Sequence, residues 1–180
     1  MERIAALLKE ENTLALATTD EAGQPCVAPL FYIVDEDLSL FWLSSEASLH
    51  SENLNRNPGA AVTVYTHTAK WREIRGVQMR GAVSVIADPK HRRAIIRTYC
   101  QRFQLRSIFR LAISRCALFV FRPEFIRFID NSRRFGTRIE LERCSNNDWR
   151  SAVGMAAAEQ LPAGRSARPS RGIVDLNLNE

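Results

Sequence analysis

The side chains that could most readily bind a ligand or take part in a reaction lie in the short segment SSEASLH, between two strand-like runs. The segment contains Ser44, Ser45, Ser48 and His50. A strand that ends at a helix N-terminus leaves free backbone N–H groups and the positive end of the helix dipole, and hydroxyl groups there can bind a phosphate. The simpler interpretation is that Ser45 only caps the helix and that His50 is a solvated helix residue. The local sequence alone favours this simpler interpretation.

Two further groups of residues could bind an anion. Trp71, Arg72 and Arg75 precede a predicted strand, where an exposed indole could stack on a planar ring, although the indole could equally cover a barrel end. Arginines also recur at roughly four-residue steps in a predicted helical region, at Arg93, Arg97, Arg102, Arg106 and Arg110. Such a stripe can follow a phosphate backbone, but a charged stripe is usually the solvated face of a helix.

The sequence lacks the motifs of several enzyme classes and of common metal and disulfide sites. The chain has no G-x-x-x-x-G-K-[ST], G-x-G-x-x-G or G-x-S-x-G segment, so standard phosphate loops and the hydrolase nucleophile elbow are absent. The four cysteines form no C-x-x-C pair, and His50, His67 and His91 are scattered. We therefore predict neither a disulfide framework nor a metal site.

Composition indicates one globular domain with an uneven charge distribution. The chain has 180 residues, 46% of them hydrophobic, and a formal net charge of +5. Residues 97–180 hold 15 of the 25 Lys and Arg residues but only 8 of the 20 Asp and Glu residues. Arginine suits an anionic ligand or nucleic acid without proving either. No apolar run is long enough for a membrane span or a signal peptide, so we expect a cytoplasmic protein without a membrane partner.

Apolar periodicity predicts helices at three places. Ile4, Leu7 and Leu8 have helical spacing near the N-terminus. A second, short helix is predicted over residues 47–55, and the following Asn57-Pro58-Gly59 prevents it from continuing. A longer helical region opens at Asp88-Pro89 and extends to about residue 113, with a break near Gln104.

Alternating apolar and polar residues predict the strands. In GVQMRGAVSVIAD the pattern places Val77, Met79, Val83 and Val85 inward and Gln78, Arg80 and Ser84 outward. The other predicted strands are TLALATTD, PCVAPLFYIVDED, LSLFWLS, AAVTVYTH, CALFVFRPEFIRFID with a bend at Pro123, and FGTRIELER.

The element order predicts a mainly β (α+β) fold, a six- to seven-stranded antiparallel split β-barrel with helical caps. The turns between the early strands are too short for the crossovers of a parallel sheet. We assign residues 1–143 to this domain and residues 144–180 to a largely disordered or loosely packed tail, because the tail lacks a sustained period. Within the tail, DWRSAVGMAAAEQL could form a short helix.

The combined order of LSSEASLHSENLNRNPGAAVTVY, a connection, IRGVQMRGAVSVIAD and a helix resembles the pyridoxamine 5′-phosphate oxidase-like FMN-binding split barrels. The likeness is strongest over residues 13–88. The further segment FIRFIDNSRRFGTRIEL is similar to a group of small bacterial members. The C-terminal arginine and histidine signature of the true oxidase is not evident in RFGTRIELER, so we do not expect oxidation of pyridoxamine phosphate.

The resemblance implies a homodimer with FMN at the subunit interface. It assigns the phosphate to Ser44, Ser45, Ser48 and His50, where His50 stands at a position that commonly carries Lys or Arg. Edge contacts to the flavin ring would come from residues 29–32 and from the start of the fifth strand, that is, from Pro29, Leu30, Phe31, Tyr32, Arg75 and Gly76.

Three functional hypotheses follow, and they differ in class. The first is an FMN-dependent oxidoreductase acting on a small-molecule substrate or electron donor, in which the cofactor supplies the reactivity and no protein nucleophile is needed. The second is a non-catalytic sensor or storage module of the same barrel that binds flavin, haem or another anionic ligand. The third and least favoured is a nucleic-acid binder that uses the arginine stripe from Arg93 to Arg110.

Overall fold

The computed structural model describes residues 1–105, 110–132, 138–146 and 148–151. Its helices are α1 (Glu2–Glu10), α2 (Leu49–Arg56), α3 (Pro89–Arg102) and α4 (Arg110–Ser114). A single 3-10 turn covers Trp71–Glu73. The strands are β1 (Thr13–Thr19), β2 (Pro25–Phe31), β3 (Ile33–Val34), β4 (Leu40–Ser44), β5 (Gly59–Tyr65), β6 (Arg75–Val85), β7 (Ala117–Asp130), β8 (Arg138–Arg143) and β9 (Trp149–Ser151).

All of these strands belong to one antiparallel, curled sheet. The strand order is β2-β1-β5-β6-β7-β4-β3, and β8 pairs with β7 and β9. Strand β2 also approaches β4, so the two ends of the strand order curl toward each other. The predicted mainly β split barrel is confirmed, with nine described strands, because the predicted strand PCVAPLFYIVDED divides into β2 and β3 and because β9 is an additional short strand.

The longest strand explains why the barrel is split. The first half of β7 pairs with β4 and its second half pairs with β8, while β6 follows its whole length. Pro123 lies between the two halves, at a point where the register between β6 and β7 shifts beside Gly81. The bend predicted at Pro123 is therefore the place where β7 exchanges one neighbour for another.

The core lies inside the curl and follows the predicted alternation with one exception. Val77, Met79 and Val83 are buried, but Val85, which the alternation places on the same face, is 47% exposed. The neighbouring strand β5 begins at Gly59, opposite Ala82, so the end of β6 runs past its partner. Helix α1 packs against this core with three apolar side chains, Ile4, Leu7 and Leu8.

Helix α3 covers a second apolar cluster on the outer side of β4 and β7. Asp88 caps the helix, because its carboxylate accepts a hydrogen bond of 2.6 Å from the His91 N–H. The Tyr99 hydroxyl donates to the Phe31 carbonyl oxygen over 3.2 Å, and burial raises the pKa of Tyr99 to about 12. Tyr99 thereby joins α3 to the end of β2.

The predicted break in the helical region is present, and it interrupts the arginine stripe. Helix α3 ends at Arg102, and Gln104 has a positive φ of 50°. Arg93 and Arg97 are exposed, whereas the Arg102 guanidinium donates to the Lys9 carbonyl oxygen over 2.7 Å. Helix α3 therefore carries Arg93, Arg97 and Arg102 of the stripe, and Arg106 lies outside the described residues.

The described part of the chain continues beyond the predicted domain end. Residues Trp149–Ser151 form a strand that pairs with β8, where the start of a short helix was predicted. Phe135-Gly136 and residues 152–180 lie outside the described residues, as does most of the proposed tail. Among the described helices, none combines the length and the apolar character that a membrane crossing requires.

Candidate functional site

The structure brings Ser44, Ser48 and His50 into direct contact. Ser44 ends β4, Ser48 is the N-cap residue of α2, and His50 lies in the first turn. The Ser44 Oγ lies 2.7 Å from the His50 Nε2 and 3.1 Å from the Ser48 Oγ, and the Ser48 Oγ lies 3.1 Å from the His50 Nε2. These three side chains form a triangle of polar atoms, which we call the hydroxyl–imidazole cluster. The sequence indicated only that the three residues lie close together along the chain.

The Ser48 hydroxyl lies at the centre of the hydrogen bonds in this cluster. Its hydroxyl donates to the Ser45 carbonyl oxygen over 2.9 Å, which uses its single proton. Its oxygen can then accept two of the three remaining contacts, which come from Ser44, His50 and, at 2.8 Å, the Ser51 Oγ. The tautomer of His50 decides the rest: with the ring proton on Nδ1, the Nε2 accepts from the Ser44 hydroxyl, and with the proton on Nε2, the Ser44 hydroxyl proton is free to donate to a bound anion.

Burial determines the charge of the cluster. Desolvation lowers the pKa of His50 below its usual value of about 6.5, so the imidazole is neutral at pH 7. A neutral imidazole can still donate one hydrogen bond or accept one, depending on its tautomer. At neutral pH the cluster therefore offers hydrogen bonds to an anion without a full positive charge.

The lowered pKa of His50 predicts an acid-sensitive fold. Between the lowered pKa of the folded protein and about 6.5, the unfolded chain binds more protons, so stability falls as the pH drops through this window. We expect the urea midpoint to decrease from pH 7.5 to pH 5.5 more in the wild type than in His50→Gln. Equal decreases in the two proteins would contradict this assignment.

The first turn of α2 adds backbone donors beside the cluster. The Ser48 side chain makes no capping hydrogen bond to the helix, and the first intrahelical bond runs from the Glu52 N–H to the Ser48 carbonyl oxygen over 3.0 Å. The N–H groups of the first turn precede that bond and have no partner within the helix. An oxyanion near Ser48 would meet these N–H groups together with the hydroxyls of the cluster.

Ser45 lies at the rim of the cluster. Its side chain is exposed, and its Oγ accepts from the Ala47 N–H over 3.3 Å. It is not the N-cap of α2, because that position belongs to Ser48. Ser45 contributes its carbonyl oxygen to Ser48, and its cofactor-binding role stays a prediction.

The residues predicted at the flavin edge divide between the two faces of the sheet. Pro29 and Phe31 face outward, and Phe31 is 57% exposed. Leu30 packs against the core, and Tyr32 is buried with its hydroxyl donating to the Leu8 carbonyl oxygen over 2.7 Å. The Leu30 and Tyr32 side chains therefore do not face a ligand on the outer side, because successive residues of a strand point to opposite faces.

Arg75 and Gly76 lie far from the cluster within one chain. Gly76 is opposite Ile129 on β7, whereas Ser44 is opposite Ala117. Twelve residues of strand separate these two positions on β7, which corresponds to about 40 Å along an extended strand. The Arg75 guanidinium also lies 3.2 Å from a Glu10 carboxylate oxygen. One protomer does not bring this pair and the cluster to the same end of the sheet.

The Trp71 indole is not an open stacking surface on its own. The Arg72 guanidinium lies 5.0 Å from the centre of the indole ring, and the Trp71 carbonyl oxygen accepts from the Asn131 side chain over 3.1 Å. Trp71 is still half exposed at the end of the barrel.

The family of the chain is shown by sequence comparison. The family model described as pyridoxamine 5′-phosphate oxidase matches residues 1–130. The chain belongs to this family. A UPF0306 protein of Yersinia pestis is 28% identical over 141 residues, which are 78% of this chain and 91% of the relative. The family assignment confirms the resemblance that the order of strands and the serine segment indicated.

Solved structures show the same fold. The structure of Rv2991 from Mycobacterium tuberculosis matches with a TM-score of 0.65 at 18% identity, over 72% of this chain and 84% of that chain. HutZ, described as a haem storage protein from Vibrio cholerae, matches with a TM-score of 0.59 at 22% identity, over 68% and 89%. At these identities the matches establish the fold of this family member and leave its ligand open.

Two features of this family member were missed at the sequence level. Asn53 is fully buried on α2, and its side-chain amide donates to the Thr18 hydroxyl oxygen. Ser51, which is also fully buried, was not missed, because it belongs to the same serine run as Ser44, Ser45 and Ser48. No sequence signal paired Asn53 with Thr18, because their contact joins residues 35 positions apart.

The second missed feature is an uncovered face of the sheet, that is, a face that no described element of the chain covers. Outward-facing side chains of β1, β2, β5, β6 and β7 surround a shallow depression with a volume of about 570 Å³. Small residues form much of its floor, and Phe125 lies at one side with the Arg80 guanidinium 4.5 Å from its ring centre. The floor contains Ala15, Ala17, Ala61 and Thr63. The alternation of these small residues with buried Leu14, Leu16 and Val62 was the available sequence signal.

Metal ligation has no candidate site in the described ranges. No group of three or more His, Cys, Asp or Glu side chains is placed to hold a metal ion there. The candidate functional site is therefore the hydroxyl–imidazole cluster with the first turn of α2.

Proposed function

We propose that this protein is an FMN-binding oxidoreductase that acts on a small-molecule substrate or electron donor. The observation that carries the proposal is the meeting of Ser44, Ser48 and His50 at the start of α2, in a chain of the pyridoxamine 5′-phosphate oxidase family. Neutral hydroxyl and N–H donors at a helix N-terminus suit the phosphate of a mononucleotide. The described residues thus fit the phosphate end of FMN.

In this proposal each residue has a specific task. Ser44, Ser48 and the first-turn N–H groups hold the phosphate, for which the Ser48 hydroxyl would turn its proton away from the Ser45 carbonyl oxygen, and His50 orients the two hydroxyls through its Nε2. The outward side chains of Pro29 and Phe31 border the ring. FMN, when bound, supplies hydride transfer, so the protein needs to position the cofactor and substrate and does not need its own nucleophile.

The proposal includes a homodimer because one protomer does not assemble all of the predicted residues. Arg75 and Gly76 lie at the opposite end of β7 from Ser44, with Gly76 twelve strand positions away. A second protomer can supply the Arg75 end of its own β6 to the cluster of the first. The uncovered sheet face, with its small residues and exposed Val27, supports close approach of two such sheets.

A bulky charge on the uncovered face should disrupt this dimer. Ala61 is exposed on β5 within the depression, so Ala61→Arg would place an arginine between the two sheets without touching the core. We expect sedimentation to show a dimer for the wild type and a monomer for Ala61→Arg. Arg97→Ala, on the exposed side of α3, is the surface control and should remain dimeric. A dimeric Ala61→Arg protein would place the interface elsewhere.

The second candidate function is storage or sensing of haem by the same barrel. It is favoured by the structural match to HutZ, which is described as a haem storage protein. Haem iron commonly takes a histidine ligand, and this chain has His67 and His91 exposed in addition to His50. In that case the hydroxyl–imidazole cluster would bind a carboxylate rather than a phosphate.

Reduction of the purified protein separates catalysis from binding alone. The protein is purified without added cofactor, its spectrum is recorded under anaerobic conditions, and a nicotinamide donor is then added. Bleaching of a yellow protein supports the oxidoreductase. A flavin colour that no donor reduces would favour a binding module, and a haem spectrum would favour the second candidate.

A further inference from the structure

Helix α2 is attached to the barrel by Leu54, which packs in the core, and by a buried polar contact. The Asn53 side-chain amide donates to the Thr18 hydroxyl oxygen over 3.1 Å. Asn53 is fully buried and Thr18 is only 4% exposed. The Asn53 Oδ1 is also buried and has no hydrogen-bond partner among the described residues. Because buried polar groups are costly to leave unpaired, this contact restricts where α2 can sit.

A second contact of the same chemical type lies beside it at the surface. The Asn57 side-chain amide donates to the Thr19 hydroxyl oxygen over 3.2 Å, and Asn57 is exposed. Water can replace an exposed hydrogen bond at little cost, whereas it does not reach the buried one without rearrangement. The two Asn–Thr contacts therefore form a natural pair for comparison.

The buried contact is close to the cluster along the helix. Asn53 follows His50 by three residues, so the two side chains are neighbours on one face of α2. The helix has only eight residues and its N-cap side chain makes no capping bond, so its own hydrogen bonding orients it weakly. A rotation or outward shift of α2 at Asn53 would move His50 and Ser48 away from Ser44.

We propose that Thr18 and Asn53 are positioning residues of the anion site, and that their buried hydrogen bond holds α2 where Ser48 and His50 meet Ser44. The proposal rests on the proposed function for the identity of the ligand, but the geometry that it describes does not require a ligand. Thr18 and Asn53 act through the cluster and need not touch the cofactor.

The test compares Thr18→Val, Thr18→Ser and Thr19→Val in the full chain. Valine preserves the shape of threonine but removes its hydroxyl, and serine keeps the hydroxyl. The first readout is the pKa of His50, followed by NMR of the imidazole signals and assigned with His50→Gln. The second readout is the Kd for FMN by fluorescence titration. If Thr18→Val does not fold, Thr18→Ala replaces it with the same expectations, because it leaves room for a water molecule at Asn53.

We expect Thr18→Val to raise the His50 pKa toward its usual value and to weaken FMN binding by about tenfold or more. Thr18→Ser and Thr19→Val should keep the wild-type pKa and a Kd within about twofold of the wild type. A Thr18→Val protein that is less stable but keeps both wild-type values would overturn the positioning role.

The two readouts separate this proposal from the proposed function. A raised His50 pKa in Thr18→Val, in a protein whose wild type binds no FMN, would support the positioning role and contradict the FMN assignment. FMN binding that is equally tight in the wild type and Thr18→Val, with an unchanged His50 pKa, would retain the cofactor and reject the positioning role.

Discussion

The double substitution Ser44→Ala and Ser48→Ala is expected to weaken FMN binding by about 1 to 3 kcal/mol, or about 5- to 150-fold. The reason is that both hydroxyls belong to the hydroxyl–imidazole cluster and neither alanine can donate to a phosphate. The Kd is measured by quenching of flavin fluorescence at pH 7.5, with circular dichroism to verify that the variant is folded.

The matched control removes two hydroxyls elsewhere. Ser84 accepts from the Arg122 guanidinium over 2.8 Å on the exposed side of β6, and the Ser114 hydroxyl donates to the Leu111 carbonyl oxygen over 2.8 Å at the end of α4. The double variant Ser84→Ala and Ser114→Ala should bind FMN with the wild-type Kd. Unchanged affinity in the Ser44 and Ser48 variant would mean that the phosphate is held at another place.

Gly81→Ala is expected to destabilise the fold by about 3 to 5 kcal/mol or to prevent folding. A Cβ atom at Gly81 would overlap the Arg122 carbonyl oxygen and lie 2.9 Å from the Pro123 Cα. Both neighbours are backbone atoms at the bend of β7, so neither can rotate away as a flexible side chain would. Urea unfolding followed by tryptophan fluorescence gives the change in the free energy of unfolding.

Gly76→Ala on the same strand is the control for Gly81→Ala. A Cβ atom there would have its nearest neighbour, the Tyr65 Cβ, at an ordinary contact distance of 3.5 Å. Its free energy of unfolding should remain within about 1 kcal/mol of the wild type. A stable Gly81→Ala protein would show that the bend at Pro123 relaxes more easily than its close backbone packing indicates.

Much of the fold could be predicted because most strands of the sheet, β6 among them, have one buried face. The alternation in β6 correctly placed Val77, Met79 and Val83, since burial on one face imposes a period of two. Val85 is exposed although the same alternation points it inward, because its burial depends on where β5 begins, which is a property of strand pairing. The short pairs that β3 and β9 form are similarly set by tertiary contacts.

The site was only partly predictable, for a related reason. Ser44, Ser48 and His50 are close in sequence, so a strand end followed by a helix was enough to bring them together. The buried contact between Thr18 and Asn53 joins β1 to α2, and no local pattern indicates such a partner. Arg75 and Gly76 stand apart from the cluster within one chain, so their part in a shared site depends on the proposed second protomer.

The most direct test of the FMN assignment is an absorption spectrum of the purified protein, with mass spectrometry of the ligand that heat releases. The proposal predicts absorption bands of oxidised flavin and a released molecule with the mass of FMN, close to one per chain. A Soret band with released haem, or a colourless protein that does not take up added FMN, would contradict it.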